Sequence, residues 1–437
     1  MSSPKATPMV RQYLSIKEKY SDSILFYRMG DFYEMFFDDA VTASKELEIT
    51  LTSRNKKDEA AIPMCGVPVR AADAYVGRLI SKGYKVAICE QIEDPALAKG
   101  LVKRDVVRVI TPGMIIDDNL LDEKSNNYII AFSTNHVITG ISLLDISTGT
   151  FRITESDKLK TIFDESLRIS PSEILFPESF QNDPAYLQII NAFSDKLISF
   201  IPDMKFDPKS GREILIEHFN TRSLEGFGCE KATVGIGAAG ALLSYVRETQ
   251  KQKIKHLSRI ETYSPDNFLL VDEMSCKNLE LTENIRTGKP KGSLLGIIDH
   301  TITSMGSRLL KQWLRYPLLE KKQIQLRLDA VSEAKNEVEC RIKVRENLKL
   351  VYDLERLSSK IIMGRANARD LVALKHSLVI IPGILSSIEY LEAELFQFNC
   401  EKDENFLDHL SGLAELIEKT IREDAPPTIN EGGIIKA

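Results

Sequence analysis

The periodicity of apolar residues changes once along this chain, near residue 255, and that change limits the possible folds more than any other feature. Upstream, short apolar runs of strand type alternate with segments whose apolar residues recur at helical spacing. Downstream, spacings of three and four dominate and strand signal is sparse. A chain of 437 residues has room for two to four domains at about 100–200 residues each. The pattern predicts a multidomain protein, α/β upstream and α downstream.

Three stretches follow from it. In 1–113, residues 9–16 have helical spacing, 24–27 form a short buried strand broken at Gly30, and 32–47 are predicted as a helix. Residues 72–80 are a further helix stopped at Gly83, 84–90 and 106–110 are strands, and Thr111-Pro112-Gly113 punctuates the end of a small α/β domain. In 114–255, strands at 128–132, 138–146 and 149–153 are separated by turn residues, with Ser147-Thr148-Gly149 as a tight turn, and helices such as 158–167 follow. In 256–437, residues 308–314, 321–336, 337–350, 368–379 and 406–422 carry apolar stripes of helical period. The run from Gly432 to Ala437 reads as the inside of a strand or turn, not a natural stop.

Composition excludes several classes. The six cysteines (Cys65, Cys89, Cys229, Cys276, Cys340, Cys400) include no CxxC pair, so neither a metal knuckle nor a disulfide framework is indicated. With no signal peptide, reduced thiols in a cytoplasmic protein are expected. No apolar run is expected to reach the roughly 18–20 residues that cross a bilayer. The net charge of −6 argues against a uniformly basic nucleic-acid binder; residues 1–112 hold 17 Lys+Arg against 15 Asp+Glu, so the basic excess there is slight. Charge alone does not point to DNA. The six histidines show no HxH or HxxxH spacing, and no metal site or nucleophile is assigned.

The informative stretch is Phe26-Tyr27-Arg28-Met29-Gly30-Asp31-Phe32-Tyr33-Glu34-Met35-Phe36. Taken alone it fits the core face of a helix, because buried aromatics are common, with Gly30-Asp31 as an ordinary cap. Together with other segments it resembles the MutS family of mismatch-binding proteins. Ile62-Pro63-Met64-Cys65-Gly66-Val67-Pro68, Val86-Ala87-Ile88-Cys89-Glu90-Gln91 and Arg108-Val109-Ile110-Thr111-Pro112-Gly113 are similar to that family's first domain. Leu144-Asp145-Ile146-Ser147-Thr148-Gly149 resembles its connector, and Asn278-Leu279-Glu280-Leu281 with Thr303-Ser304-Met305-Gly306-Ser307-Arg308-Leu309-Leu310 resembles its core. The likeness runs through almost the whole chain in family order.

The resemblance implies a small α/β mismatch-binding domain (1–113), a ribonuclease-H-like α/β connector (114–255) and a truncated helical core, or lever, domain (256–437). It implies recognition of mispaired or unpaired bases in double-stranded DNA as the first step of mismatch repair. Phe32 and Glu34 match the family's Phe-x-Glu at a strand-to-helix turn, which contacts the mispaired base. An aromatic wedge entering the minor groove kinks the duplex most cheaply where pairing is already poor. Glu34, repelled by phosphates, would penalise correct duplex and meet the base in protonated form, since desolvation and phosphates both raise a carboxyl pKa. Arg54, Lys56, Lys57, Arg70, Lys103 and Arg104 are candidate backbone contacts, which position without specifying. The full-length family is a dimeric, ATP- and Mg-dependent DNA-binding ATPase that recruits a MutL-type partner. No Walker A motif occurs in this sequence, so no cofactor and no catalysis are expected of the chain as given.

Other signals are weaker. Gly235-Ile236-Gly237-Ala238-Ala239-Gly240 matches G-x-G-x-x-G without a convincing strand before it, and is read as close packing. Gly288-Lys289-Pro290-Lys291-Gly292-Ser293 is read as a loop. Asp145 stands in a β-rich context, and two alternatives stay open here: a metal-dependent nuclease on the connector, which needs several carboxylates, or an interaction fragment that does not bind DNA.

Overall fold

Residues 7–54, 61–93, 100–251, 254–397, 406–426 and 431–436 are described by the structure, a computed structural model. The first unit runs α1 (Pro8–Lys19), β1 (Ser23–Met29), β2 (Phe32–Phe36), α2 (Phe37–Leu47), β3 (Thr52–Arg54), β4 (Ile62–Pro68), α3 (Ala72–Ile80), β5 (Lys85–Gln91) and β6 (Arg104–Ile110). Its six strands lie in the order β3-β4-β2-β1-β5-β6, with β1 and β5 parallel and the other pairs antiparallel. Side chains of α2 and α3 fill one face, around Phe26, Met35 and Leu79, and α1 covers part of the other, where Tyr13 meets Tyr27 and Phe36. Burial on both faces is why β1 is a continuous apolar run without alternation.

The helix predicted over 32–47 is corrected here: its first five residues are strand β2, and α2 begins at Phe37. Gly30, at φ +59, turns the chain in a two-residue hairpin that sets Met29 opposite Phe32. Tyr33, Met35 and Phe36 are all buried, on opposite faces, so the period of two was masked.

The second unit comprises β7 (Ile129–Thr134), β8 (Thr139–Asp145), β9 (Thr150–Ser156), α4 (Leu159–Ile169), β10 (Glu173–Pro177), α5 (Pro184–Ala192), β11 (Leu197–Ile201), α6 (Pro208–Phe219), α7 (Thr233–Gln250) and β12 (Glu261–Thr262). The strand order is β11-β10-β7-β8-β9-β12, an antiparallel meander of β7, β8 and β9 flanked by parallel pairs. The G-x-G-x-x-G run lies inside α7. A Cβ on Gly237 would stand 2.3 Å from the Phe206 carbonyl oxygen, and one on Gly240 2.3 Å from the Gly211 Cα. These glycines let α7 and α6 touch, as the packing reading expects.

The third unit is helical: α8 (Glu273–Asn278), α9 (Leu294–Ile298), α10 (Ser304–Arg315), α11 (Lys321–Asn336), α12 (Val338–Leu348), α13 (Leu354–Ile362), α14 (Ala368–Ile388) and α15 (Phe406–Thr420). Helix α14 runs on past the predicted end at 379 and through Pro382. The expectation that no segment is long and apolar enough to cross a membrane is thereby corrected, because α14 meets that test by length and composition. It packs against α12 and α15, and its buried Lys375 donates to Glu418 at 2.6 Å and pairs with Glu423.

Polar clasps join the units. Glu173, at the start of β10, accepts from the Thr111 hydroxyl, from the Gly113 N–H at 3.1 Å and from the Tyr245 hydroxyl at 2.6 Å. Arg308 of α10 binds Asp353 at 2.6 Å and the Glu123 carbonyl at 3.0 Å, and Arg356 donates to the carbonyls of Asp122 and Ser125. The segment between the two sheets is thus held by arginines of the helical unit.

Candidate nucleic-acid interface

Three hairpin residues, Met29, Gly30 and Phe32, form the open end of the first sheet. Nothing lies within 4 Å of a Cβ built on Gly30, so the turn projects freely. Phe32 is 47% exposed, although it sits in a strand paired on both sides, with Met29 across β1 and Pro68 across β4. The period of two puts Phe32, Glu34 and Phe36 on one face. Along that face exposure falls steadily: Phe32 is open, Glu34 half-buried, and Phe36 only 2% exposed beneath α1. Helix α1 therefore covers one end of the face and leaves the other bare.

Beside Glu34, β4 carries Gly66, which is exposed; a Cβ there would meet the Tyr33 carbonyl oxygen at 3.3 Å and the Glu34 Cγ at 3.6 Å. The missing side chain keeps a shallow floor open next to the carboxylate. On the reverse face the hairpin is braced. The Tyr33 hydroxyl donates to Glu90, Arg28 lies over the Tyr33 ring at 5.6 Å, and Arg28 Nε donates to the Gly30 carbonyl at 2.5 Å. Burial, followed by the Glu90 contact, pushes the Tyr33 phenol up to about 12, so it stays a donor at neutral pH. Exposed ring and rigid backing occur on the same five-residue strand.

The candidate basic residues separate. Arg70 is exposed on the short turn after β4, and the neighbouring Val69 N–H donates to the Asp31 carbonyl at 2.9 Å, which ties that turn to the hairpin tip. Lys103 is exposed just before β6. Arg104 is not a surface cation: it is buried, donating through Nε to the Arg28 carbonyl at 2.8 Å and through Nη1 to the Val102 carbonyl at 2.9 Å, with its guanidinium 5.0 Å from the Tyr27 ring centre. A phosphate could reach it only by displacing those bonds. Arg54 is the last residue of β3, opposite Ile62, while Lys56 and Lys57 lie outside the described residues. Sequence reasoning did not single out Met29, Gly66 and Pro68, which flank Phe32 and Glu34 only once the strands pair.

Asp145, nominated for a nuclease, is fully buried at the end of β8. It accepts from Asn126 Nδ2 at 2.9 Å, the Asn127 N–H at 3.1 Å, the Ser147 N–H at 2.9 Å and the Ser147 hydroxyl at 2.7 Å. Oδ1 serves the turn that Gly149 closes at φ +76, and Oδ2 holds Asn126 and Asn127, just before β7. Among the described residues, no group of three or more His, Cys, Asp or Glu side chains is placed to hold a metal ion.

Comparison with known proteins gives one consistent result. Three family models match in order: MutS domain I over residues 7–119, MutS domain II over 127–258 and MutS domain III over 274–437. A protein of Desulfosudis oleivorans named DNA mismatch repair protein MutS is 52% identical over 435 residues, covering 100% of this chain and 49% of the relative. Proteins of the same name from Desulforapulum autotrophicum and Desulfatibacillum aliphaticivorans are 54% and 48% identical, again covering 100% of this chain and 49% of each relative. The chain spans about half the length of the curated relatives it matches.

Proposed function

Because the chain belongs to the MutS family, we propose that it recognises mispaired or unpaired bases in double-stranded DNA, as an opening step of mismatch repair, by inserting the Phe32 ring into the minor groove. The observation that carries this reading is the 47% exposure of Phe32 at the tip of a braced hairpin, beside an otherwise buried aromatic set. Residues 1–113 act as the reader, 114–255 as the connector and 256–437 as the helical core. The meander of β7 to β9 followed by parallel β10 and β11 supports a ribonuclease-H-like connector.

A ring of this size gains about 1.5–3 kcal/mol when it leaves water. Unstacking a base step costs a few kcal/mol, least where pairing has already failed. The two terms are close, so insertion is favourable at a mismatch and unfavourable in sound duplex. The ring reads deformability, not base identity. Glu34 follows two residues on, on the same face, with Gly66 leaving room for a base edge. In this proposal Glu34 takes a proton on meeting the base. Arg70 and Lys103 hold phosphates, Arg104 stiffens the domain, and Arg54, Lys56 and Lys57 remain backbone candidates.

The family's dimerisation, its MutL-type partner, with the connector as a docking surface, and a cytoplasmic location extend to this chain as parts of the same proposal. ATP and Mg chemistry is assigned to none of its residues.

Fluorescence anisotropy on a G·T heteroduplex and its matched homoduplex tests the reading. Phe32→Ala should reduce the preference for heteroduplex by at least about tenfold, since 1.4 kcal/mol of lost stacking is enough. The salt dependence of homoduplex binding should not change. A variant that keeps the wild-type preference would overturn the wedge.

A further inference from the structure

A cavity of about 270 Å³ lies between the second and third units, lined by α10 on one side and by β9 and α4 on the other. Six basic side chains line it against one acidic, Glu283. Three of the six have a carboxylate within 3.3 Å: Arg152 with Glu261 at 3.0 Å, Arg308 with Asp353 at 2.6 Å and Lys196 with Asp195 at 3.3 Å.

The other three differ. The Arg168 side chain is 2% exposed, and none of Nε, Nη1 and Nη2 has a hydrogen-bond partner. It has a long ion pair with Glu165, 3.6 Å from Nη1, and lies 5.0 Å from the Tyr316 ring centre, but Glu165 already accepts from the hydroxyls of Tyr263 at 2.7 Å and Tyr316 at 2.9 Å. Lys311 donates to the Ser125 hydroxyl at 2.8 Å, and Arg315 to the Arg168 carbonyl at 2.7 Å, both neutral acceptors. Burial, and then the neighbouring Arg315, hold the Lys311 ammonium below its ordinary value. A buried guanidinium without acceptors is costly. Its planar fork of N–H donors matches the geometry of a tetrahedral oxyanion.

We propose that this cavity binds a small phosphate-type anion, held by Arg168, Lys311 and Arg315 at the joint between the connector and the helical unit. The volume lies just under the ~300–1,000 Å³ of pockets for drug-sized ligands, which suits inorganic phosphate or pyrophosphate better than a whole nucleotide. Arg168 belongs to α4, and Lys311 and Arg315 to α10, so the anion bridges two units that Tyr316–Glu165 and Arg315–Arg168 already join beside it. Occupancy therefore adds a charged tie across that joint, whatever the first unit binds.

Isothermal titration of the full chain in chloride buffer of constant ionic strength, with sodium phosphate, sodium pyrophosphate and AMP as probes, tests the site. Saturable binding of phosphate or pyrophosphate is expected, with AMP no tighter than phosphate. Lys311→Met and Arg315→Gln should each weaken it at least about tenfold, while Lys349→Ala, on an exposed side chain of the helical unit, should not. Arg168→Met should abolish it, but that residue is buried; if the variant does not fold, the Lys311 and Arg315 variants decide. No saturable heat up to roughly 10 mM probe, or an affinity that neither of those two variants changes, overturns the proposal. Tighter binding of AMP overturns the small-anion assignment.

Discussion

Strands β2 and β8 are built alike and finished differently. Each lies inside a six-stranded sheet, paired on both sides, with helices packed on both faces. All seven residues of β8 are buried, as befits a scaffold. Strand β2 is buried at its α2 end and bare at its hairpin end. Two phenylalanines on one face of β2 show what the difference means: Phe36 contributes to folding, whereas the apolar surface of Phe32 remains available to a ligand. Phe36→Ala should lower the unfolding free energy by about 3–5 kcal/mol, the usual cost of emptying an aromatic site in a core. Phe32→Ala should lower it by less than about 1 kcal/mol. Urea titrations of the two variants check this; similar losses would show that Phe32 is structural and break the comparison.

The same division separates two arginines of the first unit. Arg104 bridges Arg28, Val102 and Gln12 from inside, whereas Arg70 is exposed beside the hairpin. Arg104→Ala should cost about 1–3 kcal/mol of stability, because the carbonyls it serves lose their donor. The logarithmic salt slope of DNA binding should stay as in the wild type. Arg70→Ala should leave stability within about 0.5 kcal/mol and reduce that slope by about 0.9, the loss of one phosphate contact. Exchanged outcomes would reverse the assignment of the two residues.

What the sequence makes legible follows the range of the interactions involved. Helices α3 and α11 were predicted to their observed ends, because an amphipathic stripe is a local signal. The helix predicted at 32–36 was a strand because α1 and α2 bury both of its faces, so the apolar residues do not alternate. Family resemblance points to Phe32 and Glu34, whereas periodicity alone favours a core face. Met29, Gly66 and Pro68 join them through register, which exists only between paired strands. Arg104 looked like a surface cation because its partners Arg28 and Gln12 lie 76 and 92 residues away.

Two carboxylates carry the comparison into pH. Glu34 is half-buried at the open end of β2, and Glu173 is fully buried at the start of β10. Burial pushes the Glu173 carboxyl above its ordinary 4.5 despite the donors Thr111, Tyr245 and Gly113. A folded-state value above the unfolded one means that the native state binds the extra proton. The stabilisation is complete below 4.5 and is lost as pH rises through the raised folded value. Wild type should therefore lose more unfolding free energy than Glu173→Gln between about pH 5 and 8, with mismatch preference the same in both. The proposed proton uptake by Glu34 on meeting the base would show in binding. Heteroduplex affinity should fall as pH rises, and Glu34→Gln should flatten that fall. If Glu34→Gln binds heteroduplex with the same pH profile as wild type, Glu34 is not the group that takes the proton, and the open end of β2 reads mismatches through its ring alone.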